Sequence, residues 1–150
     1  MYLTAGLHRS LQKHPDKTAT VTGARRQTFR QLADRVAHTA GALQSLGLQP
    51  GERLSVLAHN SDRMMELLLA GWWAGLVVVP VNAMCTPSEI RYYLQDSGAR
   101  VAMVAQELLP QIMPLVKPDG GIRPMGSKSQ RIYPRKKAIR VNYESEKKIL

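Results

Sequence analysis

The feature that most constrains this chain is "LLLAGWWAGLVVVPV", fifteen residues from Leu67 to Val81 without a polar side chain. Gly71 and Gly75 within it make a G-x-x-x-G, a spacing used by packed transmembrane helices. Crossing a bilayer takes about 20 apolar helical residues, and runs of about 10–14 are more often buried core. The run also changes character along its length. Gly75 can end a helix by turning left-handed. Val77, Val78 and Val79 are β-branched and prefer an extended chain. Pro80 lacks the N–H a continuing helix would need. The run reads as a buried helix, a glycine stop and a short buried strand, with no membrane span.

Strand and helix signals alternate around it. Thr18, Thr20 and Val21 before Gly23, with Gln27–Phe29 after it, predict a small hairpin. Thr28 and Gln31 have the spacing of a capping box. Phe29, Leu32, Ala33, Val36, Ala40 and Leu43 recur as one helical face. Gly47 supplies the stop, Leu48 the apolar residue beyond it, and Pro50-Gly51 a turn. "RLSVLAH", residues 53–59, predicts a buried strand. "NSD", residues 60–62, is a helix cap with Asp62 at the positive end, and that helix runs to about Ala74. Val77–Val81 is the next strand. "TPSE" combines a capping Thr86, Pro87 in the first turn and Glu89 three residues after the cap. Ile90, Tyr93 and Leu94 should face inward, Ser97-Gly98 ends the helix, and "RVAMVA", 100–105, is a third strand.

Strand, helix, strand, helix, strand with short links requires parallel strands and right-handed crossovers. The expected class is therefore α/β, a partial three-layer parallel-sheet subdomain. "QELLPQIMPLVK" leans helical between Pro110 and Pro114. Past Lys117 the periodicity stops, and a disordered basic tail is expected.

The charge supports that division. Residues 1–116 carry 11 basic and 8 acidic side chains and residues 117–150 carry 10 and 3, so +7 of the net +10 lies in the last 34 residues. Lysines and arginines interleaved with Tyr133 and Tyr143 could track a phosphate backbone. A charged segment with few apolar residues is more simply a tail, so nucleic-acid binding is the weaker reading. The single Cys85 excludes an internal disulfide framework and suits a reducing compartment. The N-terminus shows no apolar signal core. A cytoplasmic location is expected.

No stretch matches the G-x-x-x-x-G-K-[ST] loop or a G-x-G-x-x-G after a strand. His8, His14, His38 and His59 have no metal-ligand spacing, and His38, in mid-helix, is expected at the surface. "GWWAG" is explained by close packing, with both indoles burying large areas. Taken alone, the residues give a soluble α/β domain and nominate no catalytic, cofactor-binding or metal-ligating residue.

The order of segments adds a resemblance. "HPDKTA", "TFRQLADR", "LGLQPGERLSVLAHNS", "LAGWWAGLVVVPVNAMCTPSEI" and "LQDSGARV" occur in sequence over residues 5–116. Together they resemble the N-terminal part of AMP-forming adenylating enzymes, most closely acyl-CoA synthetases acting on fatty or aromatic carboxylic acids. The resemblance implies a ligase that converts ATP and a carboxylate to an acyl-adenylate and then a coenzyme A thioester. ATP, Mg and coenzyme A are implied for the full-length family and none for this chain alone. The family's Ser/Thr/Gly-rich phosphate loop with its lysine, its adenine and ribose motifs and its C-terminal lysine domain have no counterpart here. No family site residue is therefore carried over.

The expected organisation is an incomplete adenylation domain in 1–116 and an unrelated basic tail in 117–150, a truncated or frame-shifted fragment inactive alone. Self-association through exposed sheet surface is expected. The alternatives are a small basic protein that binds nucleic acid or another acidic partner, and a non-catalytic partner of a full-length synthetase.

Overall fold

Gly75 divides the apolar run as expected. In the computed structural model, which describes the backbone of residues 3–117, 120–124 and 136–142 and side chains through residue 115, its φ is +76°. The Gly75 N–H donates to the Trp72 carbonyl at 3.1 Å and the Leu76 N–H to the Gly71 carbonyl at 2.9 Å. This paired closure is how a helix ends on a left-handed residue. No described helix is long and apolar enough to cross a membrane.

The chain forms two compact units, residues 1–50 with 60–76, and residues 51–59 with 77–150. The first holds α1 (Ala5–Lys13), β1 (Thr18–Thr22), β2 (Arg25–Thr28), α2 (Phe29–Ser45) and α3 (Asp62–Trp73). β1 and β2 are the expected hairpin, antiparallel about a two-residue loop that opens on Gly23 at φ +58°. A glycine first in such a loop matches the twist of the strands it joins. The capping box closes as the sequence predicts, with Gln31 N–H donating to Thr28 Oγ1 and Thr28 N–H to Gln31 Oε1. Leu32, Ala33, Val36, Ala40 and Leu43 are buried, and α2 packs on α3. Phe29 is only half-buried, and His38 is exposed as expected.

Gly47 and Gly75 are both left-handed, but only Gly75 is crowded: a Cβ there would lie 3.2 Å from Pro50 Cβ, whereas one at Gly47 meets nothing within 4 Å. An L-residue in this conformation costs about 1–2 kcal/mol. Gly75→Ala should therefore lower the urea midpoint more than Gly47→Ala, with m unchanged. Equal losses would show that the Pro50 contact costs nothing.

The second unit holds β3 (Arg53–Leu57), β4 (Val77–Val81), α4 (Pro87–Ser97), β5 (Val101–Ala105), a short helix α5 (Leu109–Ile112) between two 3-10 turns, β6 (Val116–Lys117), β7 (Gly120–Pro124) and β8 (Lys136–Asn142). Strand order is β4-β3-β5-β8-β7-β6. β4 and β5 flank β3 in parallel, which gives the predicted three-stranded parallel sheet. Leu54, Val56 and all of β5 are buried, and Ser55, also buried, donates through Oγ to the Val79 carbonyl. Arg53 closes the end of α4, giving Nε to the Ser97 carbonyl and a terminal N–H to the Gly98 carbonyl, each at 3.0 Å.

Three expectations need correction. Among the described strands β4 lies at the edge of the sheet, and it is not the buried strand expected, with Val77 51% exposed and only Val81 buried. Proline at its fourth position fits an edge, where a missing N–H breaks no ladder. Tyr93 faces outward beside Tyr92, while Ile90 and Leu94 are buried. The sheet also continues beyond Lys117: residues 136–142 pair antiparallel with β5, from Val101↔Arg140 to Ala105↔Lys136, and with β7. The disorder expected of residues 117–150 thus does not describe these two segments, because an open edge of β5 supplies partners that local periodicity cannot reveal. The rest of that stretch, Tyr133 and Tyr143 included, lies outside the described residues.

At α4 the "TPSE" signal closes completely. Glu89 N–H reaches Thr86 Oγ1, and Glu89 Oε2 accepts from the Thr86 N–H at 2.7 Å and its hydroxyl at 2.8 Å. The backbone bond first, then the hydroxyl, hold the Glu89 carboxyl below the ordinary glutamate range. Because the folded-state value is depressed, the contribution is present above the unfolded pKa and is lost as pH falls through the folded one. The difference in Tm between the chain and Glu89→Gln should therefore shrink as pH falls through about 5 to 3, around and below the ordinary glutamate pKa. A pH-independent difference in thermal melts would contradict this.

Candidate functional site

In parallel α/β sheets, ligands bind outside the carboxyl ends of the strands, above all where strand order reverses. Here β3 is followed on one side by β4 and on the other by β5, so the reversal lies between β3 and β5. The residues just past those ends are Ala58 and His59 after β3, Asn82 to Cys85 after β4, and Gln106 and Glu107 after β5. His59 and Met84 are exposed, and Cys85 is half-buried with a free thiol. Asn82 forms a tight turn, its Oδ1 accepting from Met84 N–H and its carbonyl from Cys85 N–H. This turn delivers Thr86 to its capping position. None of these described loops is a glycine-rich phosphate cradle with a lysine, and no group of three His, Cys, Asp or Glu among the described residues could hold a metal ion.

The most elaborate polar arrangement lies in the first unit. Glu66 is fully buried on α3, on the stripe that also carries Asp62 and Ala70. Its Oε1 accepts from Arg35 Nε at 2.7 Å, from Gln27 Nε2 at 2.9 Å and from an Arg25 terminal nitrogen at 3.2 Å. Its Oε2 accepts from Arg63 at 3.0 Å. Gln27 Oε1 in turn accepts from Thr20 on β1, an amide orientation set by the network.

Arg25 also stands 3.1 Å from the buried Asp62 Oδ2, yet that oxygen has no hydrogen bond. The distance is that of an ion pair while the angle is wrong for a hydrogen bond, so the attraction there is Coulombic. The arginines are about one-third exposed, at 33–37%. Their outer faces, with Arg26, Gln31 and Asp34, line an open cleft of about 420 Å3. Four arginines against Asp34, Asp62 and Glu66 leave one net positive charge. Such a group is largely self-neutralised and ties β2, α2 and α3 together. A carboxylate saturated in this way has no lone pair aimed at a reactant, so its part is structural.

Sequence reasoning missed Glu66, Arg25 and Arg35, and it explained Asp62 only as a cap residue. Ser61 is the cap, accepting from Met64 N–H at 3.1 Å. A signal was present: Asp62 and Glu66 are four apart, a like-charge helical pair that destabilises unless cations neutralise it.

The first unit also contains a cavity of about 600 Å3 between α1 and the end of α3, walled by Trp72, Trp73 and His8 and edged by Thr4, Arg9 and Gln12. His8 stacks on Trp73 with ring centroids 4.3 Å apart. Both indoles are only half-buried, short of the burial expected from "GWWAG".

The family model described as AMP-binding enzyme matches residues 7–142. The chain belongs to the AMP-binding enzyme family. Membership accounts for the alternation of strands and helices and for the parallel β4-β3-β5 core. Among curated relatives, the fatty acid--[acyl-carrier-protein] ligase ScoC of Streptomyces coeruleorubidus is 35% identical over 113 residues, covering 72% of this chain and 21% of that one. The benzoate--CoA ligase of Thauera aromatica is 38% identical over 101 residues, 67% of this chain and 19% of the relative.

The anthranilate CoA ligase AuaEII, solved with anthranoyl-AMP, superposes with a TM-score of 0.70 at 34% identity over 73% of this chain and 21% of its own. A benzoate CoA ligase from Burkholderia xenovorans gives 0.71 at 27% identity over 75% and 23%. The chain spans about a fifth of the length of the relatives it matches. The family match continues past residue 116, where the sequence pattern suggested a boundary.

Proposed function

We propose that this chain is the N-terminal part of an ATP-dependent acyl-CoA synthetase acting on fatty or aromatic carboxylic acids in the cytoplasm. The observation that carries the reading is the family match over residues 7–142, joined to relatives whose names are those of acyl and aryl acid ligases. In the reaction a carboxylate oxygen attacks the α-phosphorus of ATP and pyrophosphate leaves. The coenzyme A sulfur then attacks the acyl carbon and AMP leaves.

On this reading the described residues hold neither ATP nor its magnesium ion. Their part is to supply β3, β4 and β5, parallel strands on which a larger adenylation domain is built. Residues 1–116 are its first portion. The test is carboxylate-dependent exchange of pyrophosphate into ATP by the full-length protein that carries this segment, over a panel of fatty and aromatic acids. Exchange with at least one acid, and thioester formation when coenzyme A is added, is expected. No exchange with any acid would overturn the reading.

We further propose that the 150-residue chain self-associates. β4 supports this, since an edge strand with exposed valine offers unpaired backbone groups to a second copy. Sedimentation should show mass rising with concentration. A monomer at every concentration would refute it.

A further inference from the structure

We propose that the cavity between α1 and the C-terminal end of α3 is a binding site for a planar aromatic ring bearing an anionic group, such as an aromatic carboxylate. Its volume, about 600 Å3, falls in the range of small-molecule sites, roughly 300–1,000 Å3. All of its described lining belongs to the first unit.

The walls define the ring. Trp72 and Trp73 come from the last turn of α3, and His8 stacks on Trp73 from α1, with planes inclined by 30°. Aromatic faces prefer offset-stacked or edge-on aromatic partners, and such pairs add affinity beyond the area they bury. Trp72 and Trp73 are half-buried, leaving indole surface for a third ring.

The rim defines the charge. Among the described residues Arg9 is the one permanently charged member of the lining, and no described aspartate or glutamate lines the cavity. Arg9 makes no ion pair with a described carboxylate, in contrast to Arg25, Arg35 and Arg63, whose charges are spent on Glu66. Its planar fork of donors suits a carboxylate. Gln12 and the buried Thr4 add neutral polar groups. A cation would find no counter-charge there.

The two tryptophans are the only ones in the chain, so their indole N–H resonances report on this cavity directly. The experiment titrates the 15N-labelled 150-residue chain with 2-naphthoate and follows both indole cross-peaks. Saturable shifts of both are expected, with neutral 2-naphthamide binding at least fivefold more weakly. Arg9→Gln should weaken 2-naphthoate at least fivefold and leave 2-naphthamide unchanged. His8→Ala should weaken both ligands.

Arg9 and His8 are exposed on α1, and unchanged helical circular dichroism would show that the fold survives. Non-saturating shifts, equal affinity for 2-naphthoate and 2-naphthamide, or an Arg9→Gln chain that binds 2-naphthoate as tightly as the original would each overturn the proposal. The comparison of the two naphthyl ligands needs no variant, and none of these results depends on adenylation by the full-length protein.

Discussion

Glu66→Gln is expected to destabilise the chain by about 3 kcal/mol, near the lower end of what removing one partner of a buried ion pair costs. Glu66 has no solvent exposure, and four side chains donate to its two oxygens. The glutamine amide nitrogen would take the place of one acceptor and face arginine donors, so the variant loses charge and hydrogen-bond polarity together. The estimate sits low in the range because Arg25, Arg35 and Arg63 keep about a third of their surface in water and can rehydrate. For a domain of this length the loss corresponds to roughly 6–12 °C in Tm.

Asp16→Asn is the matched control. Its pair with Arg30 spans 3.2 Å, but the two side chains are 78% and 57% exposed. Exposed pairs contribute about 0–1 kcal/mol. Urea unfolding of the three proteins decides the matter. A Glu66→Gln midpoint indistinguishable from that of Asp16→Asn would show that the buried network contributes no stability.

The same residues explain what could be read from the sequence. Thr28 with Gln31, Thr86 with Glu89, and the glycine stops at 47, 75 and 98 were legible because each is a bargain struck among neighbours three to five residues apart. The alternating order of elements then implied the parallel sheet. What escaped depended on partners far along the chain. Glu66 meets Arg25 and Gln27 across 41 and 39 positions. In the sequence it stands as one acid before an apolar run.

Tyr93 satisfies the helical stripe of Ile90 and Leu94 but falls at the margin of the buried arc, where a ring can turn outward. β4 reads as four valines and a proline wherever it lies, so its place at the edge is a fact about the sheet. β8 was hidden among lysines and arginines, and residues 136–142 find their partners in β5 and β7, far from their own neighbours in sequence. The cavity escaped too, since "GWWAG" accounts for itself as packing until α1 is seen to bring His8 onto Trp73.

The isolated 150-residue chain is expected to give no carboxylate-dependent exchange of pyrophosphate into ATP, with a signal equal to a no-enzyme blank. Phosphoryl and nucleotidyl transfer depend mainly on positioning and on fixed charges set where charge develops in the transition state. Positioning alone can be worth about 7–11 kcal/mol, more than 10^5 in rate. The described ends of β3, β4 and β5 carry an imidazole, an asparagine turn and a 3-10 turn, with no lysine among them.

Lys136, Lys137 and the other basic residues after 116 give the chain cations enough to attract ATP. Attraction in water is weak and falls with salt, since unit charges 4 Å apart gain only about 1 kcal/mol there and ions at ~0.1 M screen them beyond about 10 Å. Salt-sensitive ATP binding without exchange is therefore the expected pair of results. Exchange above blank by the purified chain, with any acid of the panel, would mean that these 150 residues assemble a triphosphate site of their own, and the reading of the chain as one part of a larger synthetase would fall.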